Sequence, residues 1–160
     1  MKILIVDDEQ AIRKTFNMVL SYADHSVVEA RTAEEALQKI KGDAFDVVFL
    51  DVKLPKRSGL EIVPDIKKAS SGTYIIVITG HGNVVDAVDA MKMGVYDYME
   101  KPVSVEKIKF LLNNIGEEKS ILTAYSQLLQ QAVSFELVGE AGAIEHIRQT
   151  ISKVAVSDAT

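Results

Sequence analysis

The sequence predicts an α/β fold: a doubly wound, five-stranded parallel sheet covered on both faces, followed by a helical extension. Three observations carry this. Five short apolar runs alternate with five stretches of helical spacing. The runs are apolar on successive residues rather than on alternate ones, as in strands buried on both faces. Polar groups then follow four of the runs directly: Asp7-Asp8, Asp51, Thr79 and Lys101-Pro102.

Ile3 to Val6 reads as the first buried strand, and Ala11, Ile12, Phe16, Val19 and Leu20 recur at helical spacing after it. Ser26 to Ala30 is a shorter strand. Thr32 and Glu35 have capping-box spacing ahead of the apolar stripe Ala33, Ala36, Leu37 and Ile40. Asp46 to Leu50 is the third strand. Ser58 and Glu61 form a second box, opening a helix with Leu60, Ile62, Val63 and Ile66. Pro64 is expected in that helix's first turns, where proline does least harm. Tyr74 to Ile78 is the fourth strand. Asn83 is the expected cap of a helix carrying Val84, Val88 and Met91 and ending at Gly94. Tyr96 to Met99 is the fifth strand, and Ser104 caps a long helix beyond it. The alternation permits more than one strand order. The flavodoxin-like order 2-1-3-4-5 is preferred, because it sets strands 1 and 3 side by side at the switch point where such sheets bind ligands.

Composition narrows the function. A chain of 160 residues has room for one full domain and some extra length. The net charge of −5 argues against nonspecific nucleic-acid binding, so no direct DNA contact is expected. The lack of cysteine excludes disulfides, thiolate metal sites and thiol nucleophiles. The apolar start is cut short by Asp7-Asp8-Glu9, unlike a signal peptide, and no run approaches the roughly 20 residues of a membrane span. A cytoplasmic chain without membrane contact is the expectation.

In the preferred strand order, Asp7 and Asp8 become neighbours of Asp51, with Thr79 and Lys101 flanking them. Carboxylates about 5 Å apart repel by roughly 3 kcal/mol at an effective dielectric near 20. A hard divalent cation with oxygen ligands offsets that repulsion, and Mg²⁺ fits a site with no histidine or cysteine on offer. Asp8 and Asp51 are the expected direct ligands, with Asp7 acting through water and Glu9 nearby. Lys101 supplies a fixed positive charge, and Thr79 a hydroxyl for a phosphoryl oxygen. The set suits a phosphate-accepting aspartate.

Four segments carry a family resemblance: Ile5-Val6-Asp7-Asp8-Glu9; Leu50-Asp51-Val52-Lys53-Leu54-Pro55 with Ser58-Gly59-Leu60-Glu61; Ile78-Thr79-Gly80-His81-Gly82; and Tyr98-Met99-Glu100-Lys101-Pro102. Together they resemble the receiver domain of bacterial two-component response regulators, over residues 1–120. The resemblance implies that Asp51 accepts phosphate from a partner histidine kinase. It also implies Mg²⁺ on Asp8, Asp51 and the backbone carbonyl of Lys53, and a switch role for Thr79 and for Tyr98, three residues before the lysine. Lys53 and His81 match positions that border the path of attacking water in this family. They read equally as a solvated lysine and a turn histidine. His25 and His146 lack clustered partners and read as structural or surface residues.

Beyond Ser104 the last helix is expected to outrun the domain. Ile108, Ile115, Leu122 and Leu129 recur every seven residues, with Leu111, Tyr125 and Ala132 three after three of them, as in a heptad seam. Glu118 and Gly116 interrupt the pattern. A coiled-coil-like linker over residues 104–132 is expected, exposed in a monomer and pairing two chains into a homodimer. Residues 133–160, with Phe135-Glu136-Leu137-Val138-Gly139-Glu140 and Ser157-Asp158-Ala159-Thr160, resemble the opening of the AAA+ ATPase domain of NtrC-family, sigma-54-dependent activators. That resemblance implies a receiver and linker that control an ATPase domain in a longer protein. No G-x-x-x-x-G-K-[ST] loop occurs in the 160 residues, so ATP hydrolysis is not assigned to them. A Mg²⁺-dependent phosphohydrolase with an aspartyl-phosphate is the enzymatic alternative. It calls for a second acid two residues after the nucleophile, where this chain has Lys53. A purely structural dimerisation module with an idle acidic pocket is the other alternative.

Overall fold

A computed structural model describes the backbone of residues 1–80 and 84–136 and the side chains of residues 1–80 and 88–131. Its elements run in the expected alternation: β1 (Lys2–Val6), α1 (Gln10–Tyr22), β2 (Ser26–Ala30), α2 (Ala33–Gly42), β3 (Val47–Asp51), α3 (Gly59–Ala69), β4 (Tyr74–Thr79), α4 (Val84–Lys92), β5 (Asp97–Glu100) and α5 (Val105–Glu136). The five strands form one parallel sheet in the order β2-β1-β3-β4-β5. The expectations on His81, Gly82, the Asn83 cap, the Val84 side chain, the Ala132 side chain, His146 and most of the ATPase-like segment 133–160 lie outside the described residues.

The continuous apolar runs are buried as their composition demands. All five residues of β3 are buried, as are four of the five in β1 and five of the six in β4. A core of Leu4, Val6, Val48, Leu50, Ile75 and Val77 meets Ala33, Ala36, Ile40, Ile62, Val63 and Ile66 from α2 and α3. On the other face, Phe16 of α1 meets Phe49 of β3 with ring centroids 5.1 Å apart. Apolar burial of this kind stabilises by about 25 cal/mol per Å² and fixes which way each strand faces.

Several local expectations are corrected. Thr32 caps α2 through the Glu35 N–H, but the Glu35 carboxylate accepts from Arg31 N–H rather than closing the box on Thr32. Ser58 caps α3 through the Leu60 N–H, and Glu61 turns to Arg57 at 3.6 Å. Pro64 is the sixth residue of α3, past the first turn, so the Leu60 carbonyl lacks its usual helical donor. β3 and β5 each begin and end one residue later than expected, and β4 runs one residue further to Thr79, so Asp51 and Thr79 are the last residues of their strands.

The chain divides into two compact units, residues 1–108 and 109–160. α5 is one continuous helix of 32 residues that runs through Gly116 unbroken. The heptad stripe proves to be of two kinds. Ile108, Leu111 and Ile115 are buried in the single chain, against expectation. Leu122, Tyr125 and Leu129 are 56%, 47% and 44% exposed, as expected.

Gly59, the first residue of α3, sets how closely that helix meets β3. Its N–H donates to the Val52 carbonyl at 2.9 Å. A Cβ at this position would lie 2.0 Å from the Asp51 carbonyl oxygen and 3.2 Å from Leu50 Cγ. Both neighbours belong to the central strand and cannot swing aside. Gly59→Ala is expected to cost about 3 kcal/mol, the upper part of the usual overpacking range. The urea midpoint of unfolding measures it, and an unchanged midpoint would show that α3 yields freely.

Candidate functional site

The parallel register delivers the polar groups to one edge. Val6 pairs with Leu50, so the residues immediately beyond them, Asp7 and Asp51, lie side by side. Asp51 pairs with Ile78, and the ladder continues with Val52 N–H on the Ile78 carbonyl at 2.9 Å. Lys101 N–H bonds the Thr79 carbonyl at 2.7 Å, just past the Thr79–Glu100 pair. The Lys101–Pro102 peptide is cis. Asp7, Asp51 and Thr79 are each 3% exposed or less, whereas Asp8 is exposed. Acceptor oxygens of Asp7, Asp8 and Asp51 lie within 4.8 Å of one another. An open cleft of about 350 Å³ is lined by Asp8, Glu9, Asp51, Lys53, Gly80 and Lys101.

One ammonium ties the carboxylates together. Lys101 Nζ lies 2.8 Å from Asp51 Oδ2, 2.8 Å from Asp7 Oδ2 and 3.3 Å from Glu9 Oε1. The contact to Asp51 has hydrogen-bond geometry; the contact to Asp7 Oδ2 is an ion pair outside it. Asp7 Oδ1 accepts from the Glu9 N–H at 2.8 Å, and Asp51 Oδ1 from the Lys53 N–H at 3.1 Å. Burial pushes the Lys101 ammonium down, but its hydrogen bond to Asp51 and its ion pair with Asp7 outweigh this and hold its pKa above the ordinary lysine value. Burial is likewise the largest influence on Asp7. It raises that carboxyl above its ordinary value, with the Asp51 charge adding to the rise and Lys101 and the Glu9 N–H opposing it.

Three aspartates against one lysine leave a net charge of −2, before Glu9 is counted. At 4.8 Å each carboxylate pair repels by about 3.5 kcal/mol at an effective dielectric near 20. All donors here are oxygens, which suits a hard divalent cation and excludes a soft one. The residues present therefore fit Mg²⁺, with the carboxylates of Asp7, Asp8 and Asp51 as the groups that could hold it.

Of the residues expected at the acidic edge, Asp7, Asp8, Asp51, Lys53, Thr79 and Lys101 sit there, whereas Tyr98 is half-buried and packs against the main core. Its hydroxyl is buried and has no hydrogen-bond partner among the described residues. His25 stays apart, its Nδ1 3.4 Å from the Met1 ammonium, and burial followed by that ammonium lowers its pKa. Sequence reasoning missed Arg13. Its guanidinium is buried beneath the Asp7–Asp8 turn and bonds both carbonyls. The spacing Arg13, Phe16, Leu20 places it on the core face of α1, a signal available in the sequence.

Comparison with known proteins agrees with this geometry. Residues 3–113 match the family model for the response regulator receiver domain. The chain is 30% identical over 156 residues to the phosphoglycerate transport system transcriptional regulatory protein PgtA of Salmonella typhimurium, covering 98% of this chain and 38% of that protein. It is 32% identical over 161 residues to the alginate biosynthesis transcriptional regulatory protein AlgB of Pseudomonas aeruginosa, covering 99% of this chain and 36% of that protein. The chain thus spans little more than a third of the length of these curated relatives. Among solved structures it is similar to the NtrC4 receiver domain in its beryllofluoride-activated dimer, with a TM-score of 0.70 and 39% identity over 73% of this chain and 97% of that one. A receiver domain from Clostridium thermocellum gives a TM-score of 0.71 and 35% identity over 76% of this chain and 98% of that one. With the family match spanning well over half of its length and the acidic edge built as that family requires, the chain belongs to the receiver domains of two-component response regulators.

Proposed function

We propose that Asp51 accepts a phosphoryl group from a phosphohistidine of a partner histidine kinase and that the modified edge changes how this chain pairs with a second copy. The observation that carries the reading is Asp51 itself: buried in the central strand, 2.8 Å from Lys101 and within 4.8 Å of two further aspartates. An Asp51 carboxylate oxygen forms the new P–O bond as the P–N bond to the donor histidine breaks, and the imidazole takes a proton as it leaves. Lys101 offsets charge on the phosphoryl oxygens, and the Thr79 hydroxyl donates to one of them. Asp8, Asp51 and the Lys53 carbonyl, with Asp7 through water, would hold Mg²⁺, which would supply further charge stabilisation when bound. Asp51 Oδ1 is already oriented by the Lys53 N–H, so little reorganisation precedes attack. Thr79 and Tyr98 act as the switch pair in this reading. The chain takes part in its own phosphorylation and slow dephosphorylation and turns over no separate substrate.

Further partners follow from the relatives, two of which are transcriptional regulatory proteins by name. In this reading residues 1–120 are the receiver, 104–132 the linker helix, and 133–160 the start of an ATPase domain of a sigma-54-dependent activator. Leu122, Tyr125 and Leu129 form the exposed seam that meets a second copy, with Ile108, Leu111 and Ile115 reserved for the chain's own core. The NtrC4 neighbour is a dimer of activated receiver domains, which supports pairing of receiver domains but does not bear on the linker seam. Among the described residues no helix is long and apolar enough to cross a membrane.

Asp51→Ala is expected to abolish labelling. Wild type incubated with a small acyl phosphate and Mg²⁺ should gain one phosphate by intact mass, and the variant none. Labelling of the variant at wild-type speed would move the acceptor elsewhere.

The aspartates should separate by metal and pH. Asp8→Ala should weaken Mg²⁺ binding at least tenfold, a loss of about 1.4 kcal/mol, by calorimetric titration. Asp7 has a raised folded-state pKa, so the native chain binds its proton more tightly than the unfolded chain. Stability is therefore lost as pH rises from the unfolded value, roughly 3.9, through the folded one. At neutral pH without metal, Asp7→Asn should raise the melting temperature by about 2–4 °C, equivalent to ~1 kcal/mol. The gain should shrink as the pH is lowered through the acid range. A lower melting temperature for Asp7→Asn at neutral pH would show that the Lys101 ion pair outweighs burial.

Leu122→Lys places a charge on the exposed seam and should convert a dimer into a monomer in sedimentation, with Asp51 labelling retained. Wild type that sediments as a monomer at every concentration, with and without beryllofluoride, would rule out the linker pairing.

A further inference from the structure

We infer that Arg13 is a positioning residue that holds the turn after β1 so that Asp7 and Asp8 present their carboxylates to the acidic cleft. The inference rests on the metal-binding reading of that edge. Arg13 is only 5% exposed, on the core face of α1 between Ile12 and Phe16. Its Nη1 donates to the Asp7 carbonyl at 2.7 Å and to the Asp8 carbonyl at 3.0 Å. Its Nε donates to Glu29 Oε2 at 3.1 Å, and the other Glu29 oxygen accepts from Asn17 Nδ2 at 2.9 Å. The guanidinium thus joins β2, α1 and the two peptides that carry the aspartates.

Two consecutive carbonyls turned toward one buried cation fix the peptide planes on either side of Asp8. Those planes set the direction in which the Asp8 side chain leaves the backbone. From the adjoining residues, the Asp7 N–H bonds the Ala30 carbonyl at 3.2 Å and the Glu9 N–H bonds Asp7 Oδ1. The turn is therefore held on both sides: by ladder and side-chain bonds toward β2 and the cleft, and by Arg13 from beneath. Among the described residues nothing bonds the carboxylate of exposed Asp8, so its backbone is the lever available to position it. Packing alone does not call for arginine here. An aliphatic side chain would fill the same space without burying a charge, and a buried charge is costly unless each donor is used. The planar fork with several fixed donors is what two carbonyls and a carboxylate require; a lysine offers one point charge.

Substitution separates positioning from charge. Arg13→Lys keeps the positive charge and loses the fork. Arg13→Gln loses the charge as well, which on electrostatics alone should tighten binding of a cation in the cleft. Positioning predicts weaker Mg²⁺ binding in both, by about tenfold, as for outer-shell partners of metal ligands. The readout is the Mg²⁺ dissociation constant from calorimetry on chains whose near-ultraviolet circular dichroism shows native tyrosine packing. Wild-type affinity in Arg13→Lys, or tighter binding in Arg13→Gln, overturns the inference. If neither variant folds, Glu29→Gln carries the test, since it disturbs the Arg13 Nε bond from the solvent side. It should weaken Mg²⁺ binding several-fold, and unchanged affinity overturns the inference. A wild-type chain that binds no Mg²⁺ overturns the metal-site reading and this inference with it.

Discussion

Three carboxylates held within 4.8 Å of one another, two of them buried, form the constraint on which the rest of the molecule depends. Left alone, such a cluster would drive its strands apart or take up protons. It is kept by groups that point positive charge or N–H dipoles at it. Lys101 reaches Asp7 and Asp51 together; the Lys53 and Glu9 amides take one oxygen each. The sheet supplies the rigidity that makes this possible. Asp51 is the last residue of a strand with no exposed position, so neither it nor its neighbours can relax by moving outward. The residual negative charge is what makes the edge receptive to a hard cation, while burial, with the Asp51 charge adding to it, makes Asp7 reluctant to ionise.

Much of this was legible in the sequence because the relevant patterns are short-range. Apolar runs such as Val47 to Leu50 cannot be satisfied except between two covered faces, and the residue after such a run must emerge at a sheet edge. Once strand 1 is set beside strand 3, Asp7, Asp8 and Asp51 have to meet. What stayed hidden depends on distances that no pattern encodes. Nothing in the pattern around Gly59 tells that a Cβ there would fall on the Asp51 carbonyl. Arg13 was passed over as a charged residue on an amphipathic helix, although its spacing from Phe16 and Leu20 places it on the inward face. Thr32–Glu35 and Ser58–Glu61 have the spacing of reciprocal caps, yet Glu35 found Arg31 and Glu61 found Arg57, because nearby partners compete for the same carboxylates.

The heptad stripe along α5 teaches a related point. A repeat of seven identifies a face, not the surface that covers it. Ile108, Leu111 and Ile115 are covered within the single chain, whereas Leu122, Tyr125 and Leu129 on the same helix are left open. One amphipathic pattern thus serves two kinds of burial in succession. Periodicity was sufficient to foresee a continuous helix and an apolar stripe. It was insufficient to foresee where the first kind of burial gives way, since a repeat of seven does not encode what covers it.

Lys101 is where the chemistry of the edge and a change of shape can meet. Its ammonium divides its interaction between Asp7 and Asp51, while its backbone N–H is fixed to the Thr79 carbonyl. In the proposed reading, a phosphoryl group on Asp51 replaces one carboxylate charge by a larger one carried further into the cleft. The side chain of Lys101 must then redistribute its contacts while its backbone stays tied to Thr79, the second proposed phosphoryl contact. A modification shifts a conformational equilibrium only to the extent that it interacts differently with the two states. In that reading the lysine and the threonine would meet that condition, since Lys101 lines the charged cleft and its N–H ties it to Thr79 at the end of the β4–β5 ladder. Tyr98 lies in β5 between these two scales: its ring packs on the core while its hydroxyl is buried without a partner among the described residues. A buried hydroxyl lacking a bond is costly by about 1–3 kcal/mol. An arrangement of the edge that offered it an acceptor would draw on that same amount, which is comparable with the free energies that separate two states of a regulatory domain.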